Sequence, residues 1–264
     1  MSGSGETIRS TIYLVRHGEC KANLEDMNLP PEIDNLTEKG KLQATVFGKH
    51  FHDVKFTKAY ASTYSRAFDT ATEIIANLDE KVELKLDSRI REREMGVYEN
   101  RPMFDVFGDL FAAARKGVQM LDFEVEGGEP VADLNARISS FLTELLESIQ
   151  QSKKPETILI VSHGVIILRM MFQLRAWSKD PARSINLNSW DTKKVSIPIK
   201  NVAYHQMNVD VPKDGEGNTV IDCVQLHHSD HLASLKSEGK KPSKEFLQIT
   251  ETFVEITGQQ CTTH

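Results

Sequence analysis

The chain has 264 residues, 39% hydrophobic and 27% charged, with a formal net charge of −6. That length suits one large domain, or one domain with an insertion, able to bury roughly three quarters of its unfolded surface without staples. The acidic balance argues against general nucleic-acid binding, which needs a basic surplus, yet leaves room for a few cations gathered around an anionic substrate.

Residues 1–10 read as a flexible tail ahead of a domain over 11–232. Thr11-Ile12-Tyr13-Leu14-Val15 is a β-rich run, apolar nearly throughout, as expected of a strand covered on both faces, and it stops at Arg16-His17-Gly18. Thr37 is a candidate N-cap for a helix running to about His52, whose apolar positions Leu42, Val46 and Phe47 fall on one face. Phe56 to Ala61 reads as a second strand, and Ser65 to Leu78 as a helix with Ala67, Ala71, Ile74 and Ile75 inward. Val82 to Leu86 alternates at period two, which marks an edge strand.

Residues 102–130 form an insertion: a helical piece from Phe104 to Lys116, then an acidic loop with glycines, together a lid over a site. Val131 to Gln150 is a long amphipathic helix. Thr157-Ile158-Leu159-Ile160-Val161 is the most strand-like segment of the chain; it ends at Ser162-His163-Gly164 and leads into an apolar helix to about Leu174. Val202 to Val209 and Thr219 to Leu226 flank a long polar turn and predict a β-hairpin. Residues 233–264 read as a mobile tail, Lys-, Ser- and Gly-rich at first, with a weak helix from Glu245. Strands alternating with helices in this order predict a three-layer α/β/α sandwich with a mostly parallel central sheet. Ligands in such sheets bind beyond the carboxyl ends of the strands, so the two His-Gly pairs are expected to meet in one crevice.

Three cysteines (Cys20, Cys223 and Cys261) without a Cys-x-x-Cys pair point to a reducing compartment. No apolar run approaches the ~18 residues of a membrane span, and the first residues lack a signal-peptide pattern, so a cytoplasmic location without a membrane partner is expected. Nucleotide-loop spacings are absent, and Asp26 stands where a Cys-x5-Arg phosphatase loop would need arginine. His227-His228-Ser229-Asp230-His231 is set aside as a metal site, because adjacent histidines in a strand point to opposite faces. Neither metal nor cofactor is expected.

Phosphoryl transfer needs a nucleophile, cations for the phosphate oxygens and an acid for the leaving oxygen. Arg16-His17-Gly18 supplies the first two: a neutral imidazole can attack phosphorus, a guanidinium can hold two oxygens in its planar fork, and glycine lets the backbone approach an anion. Asn23 follows six positions after His17, and Ser62 to Ala71, Leu86 to Gly96 and Thr157 to Gly164 come later in order.

This ordered set resembles the histidine phosphatase superfamily, which includes phosphoglycerate mutases and fructose-bisphosphatases, over roughly residues 11 to 210. The resemblance implies that His17 becomes phosphorylated and that Arg16, Arg66 and His163 surround the phosphate with help from Asn23. Glu92, four residues before Gly96, would protonate the leaving oxygen, and the main-chain N–H of Gly164 would face the anion. Short local likenesses at Asp53 to Thr57, Arg91-Glu92-Arg93, Ala113 to Arg115, Gly127 to Glu129 and Ser229 to Leu232 are similar to TIGAR-type fructose-2,6-bisphosphatases. A sugar bisphosphate is then the implied substrate, with Arg101, Arg115 and Lys116 as candidates for its second phosphate. Cys20 stands where the family often has a hydroxyl, and the stretch from Asn23 to Leu36 lacks the usual glycine-rich text. The expectation is a metal-independent phosphatase of a small phosphorylated metabolite; a phosphoglycerate mutase and a catalytically weak scaffold are the alternatives.

Overall fold

In a computed structural model that describes residues 6–195 and 199–235, the two strands that end at a histidine lie side by side. Strand β1 (Thr7–Arg16) pairs in parallel with β4 (Thr157–Ser162), and Arg16 stands opposite Ser162. His17 and His163 therefore leave the sheet at the same level. Between them in the chain come β2 (Lys58–Ala61) and β3 (Leu84–Leu86); after them come β5 (Ile185–Asn188), β6 (Tyr204–Pro212) and β7 (Thr219–His228). The seven strands run in the order β3-β2-β4-β1-β6-β7-β5. Pairing is parallel except where β6 meets β1 and β7.

Alternation along the central strands explains why they are apolar throughout. Ile12, Leu14, Ile158 and Ile160 point into a core shared with α5 (Val131–Ser152) and α6 (Gly164–Trp177). Tyr13, Val15, Leu159 and Val161 point the other way, against α2 (Glu38–His50) and α3 (Ser65–Ala76). A sheet covered on both faces needs hydrophobic residues at both parities, and the result is the expected three-layer sandwich. Among the described residues the other α-helices are α1 (Lys21–Glu25), α4 (Met103–Arg115) and α7 (Thr192–Val195). Among the described residues no helix is long and apolar enough to cross a membrane.

Two expectations need correction. Residues 7–10 are strand, not tail: Thr7 to Ser10 pair antiparallel with Val209 to Pro212, and Ile8 and Ser10 are buried. Nor does Leu42 share a face with Phe47, being 50% exposed where Phe47 is buried. The inner face of α2 is instead the small stripe Gly40, Ala44 and Gly48 with Phe47, because this helix lies too close to its neighbours for larger side chains. Thr37 does cap it, its hydroxyl accepting from Gly40 N at 3.0 Å. Strand β5 and helix α7 have no counterpart among the expected elements. The mobile tail expected over 233–264, with its weak helix from Glu245, falls outside the described residues from 236 onward.

Candidate active site

At the end of β1 the backbone of His17 is tied to β4, its N–H donating to Ser162 O at 2.9 Å. The next residue, Gly18, crosses under α2. A Cβ there would sit 2.6 Å from Gly40 O, so the glycine serves a backbone crossing, and its N–H, part of the backbone expected to approach the anion, donates instead to Thr70 Oγ1 at 2.9 Å. The turn fixes the imidazole: Nδ1 lies 2.8 Å from Gly18 O, and since a carbonyl only accepts, Nδ1 carries the proton and Nε2 keeps its lone pair.

The His163 ring stands 5.2 Å from that of His17, centroid to centroid. Its Nε2 is 2.7 Å from Ser62 Oγ, which already accepts from Tyr64 N. Where the serine donates to Nε2, the neutral ring carries its proton on Nδ1, a buried atom with no protein partner. Arg16 Nε and Arg66 Nε are likewise buried without an acceptor. Buried donors are normally paired, and three that are not, around one imidazole lone pair, fit a small anion. Gly164 opens α6 beside them, close enough that a Cβ on it would lie 3.7 Å from Arg16 Nε.

Electrostatics sets both histidines neutral. Burial pushes the His17 imidazole well below its ordinary range, and the charges of Arg66 and Arg16 push it further. Burial, then Arg66 and His17, does the same to His163. Neutral imidazole is the form able to attack. Arg66 is held by Asp34 at 3.1 Å in a pair that is almost wholly buried. Asp34 also accepts from Ala22 N at 2.8 Å, locking the first turn of α1 to the phosphate side.

Glu92 comes from the loop after β3 and reaches the same cavity as Arg16, His17, Asn23 and Arg66. Its loop is braced just before it: Ser162 Oγ donates to Ile90 O at 2.8 Å, and Arg137 donates to Arg89 O while gripping Glu129 through Nε (2.6 Å) and Nη2 (2.7 Å). The carbonyl oxygen of Asn23 is taken by Asn201 Nδ2 at 2.9 Å and by the Cys20 backbone, so its amide N–H₂ is what it can offer an anion. Cys20, for its part, is buried within reach of Asn23 Oδ1 and Asp34 Oδ2, and burial, then Asp34, pushes its thiol up to about 12. It supports the turn as a protonated thiol.

Three expected residues are not brought to the site. Arg101 pairs with Asp105 at 3.0 Å over the Tyr98 ring, Arg115 and Lys116 are exposed at the end of α4, and none of the three lines the cavity. The reason is helical phase: Met103, Val106, Phe107 and Leu110 turn inward, so Arg115 faces solvent. Sequence reasoning missed Ser62, Asp34, Asn201 and Arg169. Ser62 alone carried a local signal, as the residue just beyond a buried strand.

Fold and site together are those of an α/β enzyme that handles a phosphoryl group. The chain matches the profile of the histidine phosphatase superfamily (branch 1) over residues 12–209. A Salmonella choleraesuis protein named "Probable phosphoglycerate mutase GpmB" is 32% identical over 179 residues, 66% of this chain and 80% of its own. Among solved structures, a mycobacterial glucosyl-3-phosphoglycerate phosphatase is similar with a TM-score of 0.64 at 19% identity, covering 84% of this chain and 100% of that one. A phosphoglycerate mutase from Bacillus anthracis gives 0.65 at 21% identity, covering 86% and 96%. The chain belongs to the histidine phosphatase superfamily, branch 1.

Proposed function

We propose that this chain hydrolyses small phosphate monoesters through a phosphohistidine at His17. The observation that carries the reading is the tautomer: with the Nδ1 proton held at Gly18 O, Nε2 keeps a lone pair in a pocket shared with Arg16 and Arg66. In the first step Nε2 attacks phosphorus, the P–O ester bond breaks, and Glu92, carrying a proton, passes it to the leaving oxygen. In the second, water attacks the phosphohistidine while Glu92 takes its proton; the N–P bond breaks and inorganic phosphate leaves. Arg16, Arg66, His163 Nδ1, the amide of Asn23 and the N–H of Gly164 are the donors for the non-bridging oxygens.

Fructose-2,6-bisphosphate needs a second cationic cradle, and the positions of Arg101, Arg115 and Lys116 withdraw the support that the sequence lent it. The name borne by the 32%-identical relatives favours a second reading, a phosphoglycerate mutase that returns the phosphoryl group to the substrate. With 3-phosphoglycerate, release of inorganic phosphate supports the phosphatase, and isomer formation without release supports the mutase. For either, His17→Ala is expected to abolish turnover and the acid-labile phosphoryl label on the protein. Turnover retained in that variant would overturn both. Because protein cations supply the charge, a chelator is expected to leave the rate unchanged.

A further inference from the structure

The phosphate cradle occupies one end of a cavity of about 680 Å³, a size suited to a drug-sized ligand. The rest of its wall has a different chemistry. Met103, Phe107 and Leu110 of α4 line it together with Leu168 and Phe172 of α6. An apolar stripe at i, i+4 and i+7 ordinarily marks the face a helix packs on its core; in α4 that face lines the cavity. Two more histidines at the wall, His205 and His227, are held neutral by burial, at about 3 and about 4.

The cations on this wall are already engaged by the protein. Outside the phosphate cradle the described residues that line it include two cations, Arg93 and Arg169. Arg93 donates to the carbonyls of Glu129 and Phe123 and pairs with Glu124. Arg169 donates from Nη1 to Asn135 Oδ1 and from Nη2 to the Leu121 carbonyl, and its buried Nε has no protein acceptor. At the solvent edge of the same wall stand four exposed carboxylates, Asp26, Glu94, Glu99 and Asp122, with Glu94 paired to Arg91 at 3.1 Å. A second phosphate would therefore meet cations already engaged by the protein and, at the rim, carboxylates whose repulsion water and salt weaken.

We infer that the leaving group of the substrate is an uncharged, apolar alcohol several carbons long, seated between α4 and α6. The inference rests on the phosphatase reading above and names its substrate class. Burying carbon against this wall is favourable in proportion to the area covered, whereas a bisphosphate or a phosphoglycerate leaves most of the wall uncovered and brings extra charge toward the carboxylates.

The test uses the full chain and a series of n-alkyl phosphates from ethyl to octyl, whose leaving alcohols differ little in acidity, so that the slope reports burial rather than reactivity. A fully buried methylene is worth about fourfold in kcat/KM. With partial burial, a rise of at least about 30-fold from ethyl to octyl is expected. Phe107→Ala and Leu110→Asp should each lower the octyl-to-ethyl ratio, a quantity that does not depend on how much of a preparation is folded. A flat series, or a higher kcat/KM for fructose-1,6-bisphosphate or 3-phosphoglycerate than for octyl phosphate, overturns the inference while leaving the phosphatase reading intact. Phosphate release from none of these compounds, with no label on His17, overturns both.

Discussion

His17 donates Nδ1–H to the Gly18 carbonyl, and His163 Nε2 lies 2.7 Å from Ser62 Oγ, the partner that sets its tautomer. The first contact is made by backbone and survives any side-chain change; the second hangs on one hydroxyl with no exposure to solvent. Ser62→Ala should therefore let His163 settle in the other tautomer, with its Nδ1 lone pair facing the phosphate. We expect kcat to fall by roughly 10- to 100-fold, toward the loss typical of one donor in a preorganised anion site, with KM changing less and Ser62→Thr recovering most of the rate. An unchanged kcat in Ser62→Ala would remove His163 from the donor set. Arg66 tests the same site through a different balance, since it both faces the phosphate and neutralises Asp34. Arg66→Met should lower kcat by about 10²–10³ and also cost about 3–5 kcal/mol of stability, because Asp34 is left charged and buried. Adding Asp34→Asn should restore most of the stability measured by urea unfolding but not the rate. Recovery of both would mean that Arg66 acts only as a structural partner.

At the scale of elements, the site depends on how closely α2 crosses the turn after β1. A Cβ on Gly40 would lie 2.0 Å from Glu19 O, and backbone cannot move aside as a side-chain end can. Gly40→Ala should cost at least about 1–3 kcal/mol, lowering Tm by roughly 2–4 °C per kcal/mol. Gly108, on the exposed face of α4 where a Cβ would meet nothing within 4 Å, is the control, and Gly108→Ala should raise stability by up to about 1 kcal/mol. Equal melting of the two variants would discard the crossing argument. This crossing also explains what the sequence concealed. Strands β1 and β4 were legible because both of their faces are apolar, and each runs into a His-Gly pair. The orientation of α2 was not, since a hydrophobic pattern favours Leu42 over glycine, while close approach favours Gly40, Ala44 and Gly48. Strand β5 has four residues and takes its identity from pairing with β7, a contact local propensity cannot carry. Helix α4 was legible as a helix, but nothing in its own sequence said that its apolar face would line a cavity. Asp34, Asn201 and Arg169 gain their roles from partners far along the chain, Asn201 from His17 at a separation of 184 residues.

For the molecule as a whole, the histidines give folding a pH dependence with a definite sign. His17, His163, His205 and His231 are buried, His227 is half-buried, and burial is the largest cause lowering each from 6.5. Their folded-state values lie below the unfolded one, so in acid the unfolded chain binds protons that the folded chain refuses, and stability must fall as pH falls. The loss begins near pH 6.5, where an unfolded histidine titrates, and continues for each group until its folded form protonates: about 4 for His227 and His231, about 3 for His205. Each histidine that stays neutral in the fold removes about 1.4 kcal/mol per pH unit across that window. Between pH 6.5 and 5 most carboxylates remain ionised in both states, so the slope there reports histidine. His205 isolates one member: it is 1% exposed, and its Nδ1 accepts from His227 N at 3.1 Å, a bond that the amide oxygen of His205→Asn can reproduce. Urea unfolding of the full chain at pH 7.5, 6.0 and 5.0 should show stability falling steeply below 6.5, and His205→Asn should flatten the dependence by about one proton. If wild type were equally stable at pH 7.5 and 5.0, the buried histidines would have to be charged in the fold, and a protonated His17 has no lone pair with which to attack phosphorus.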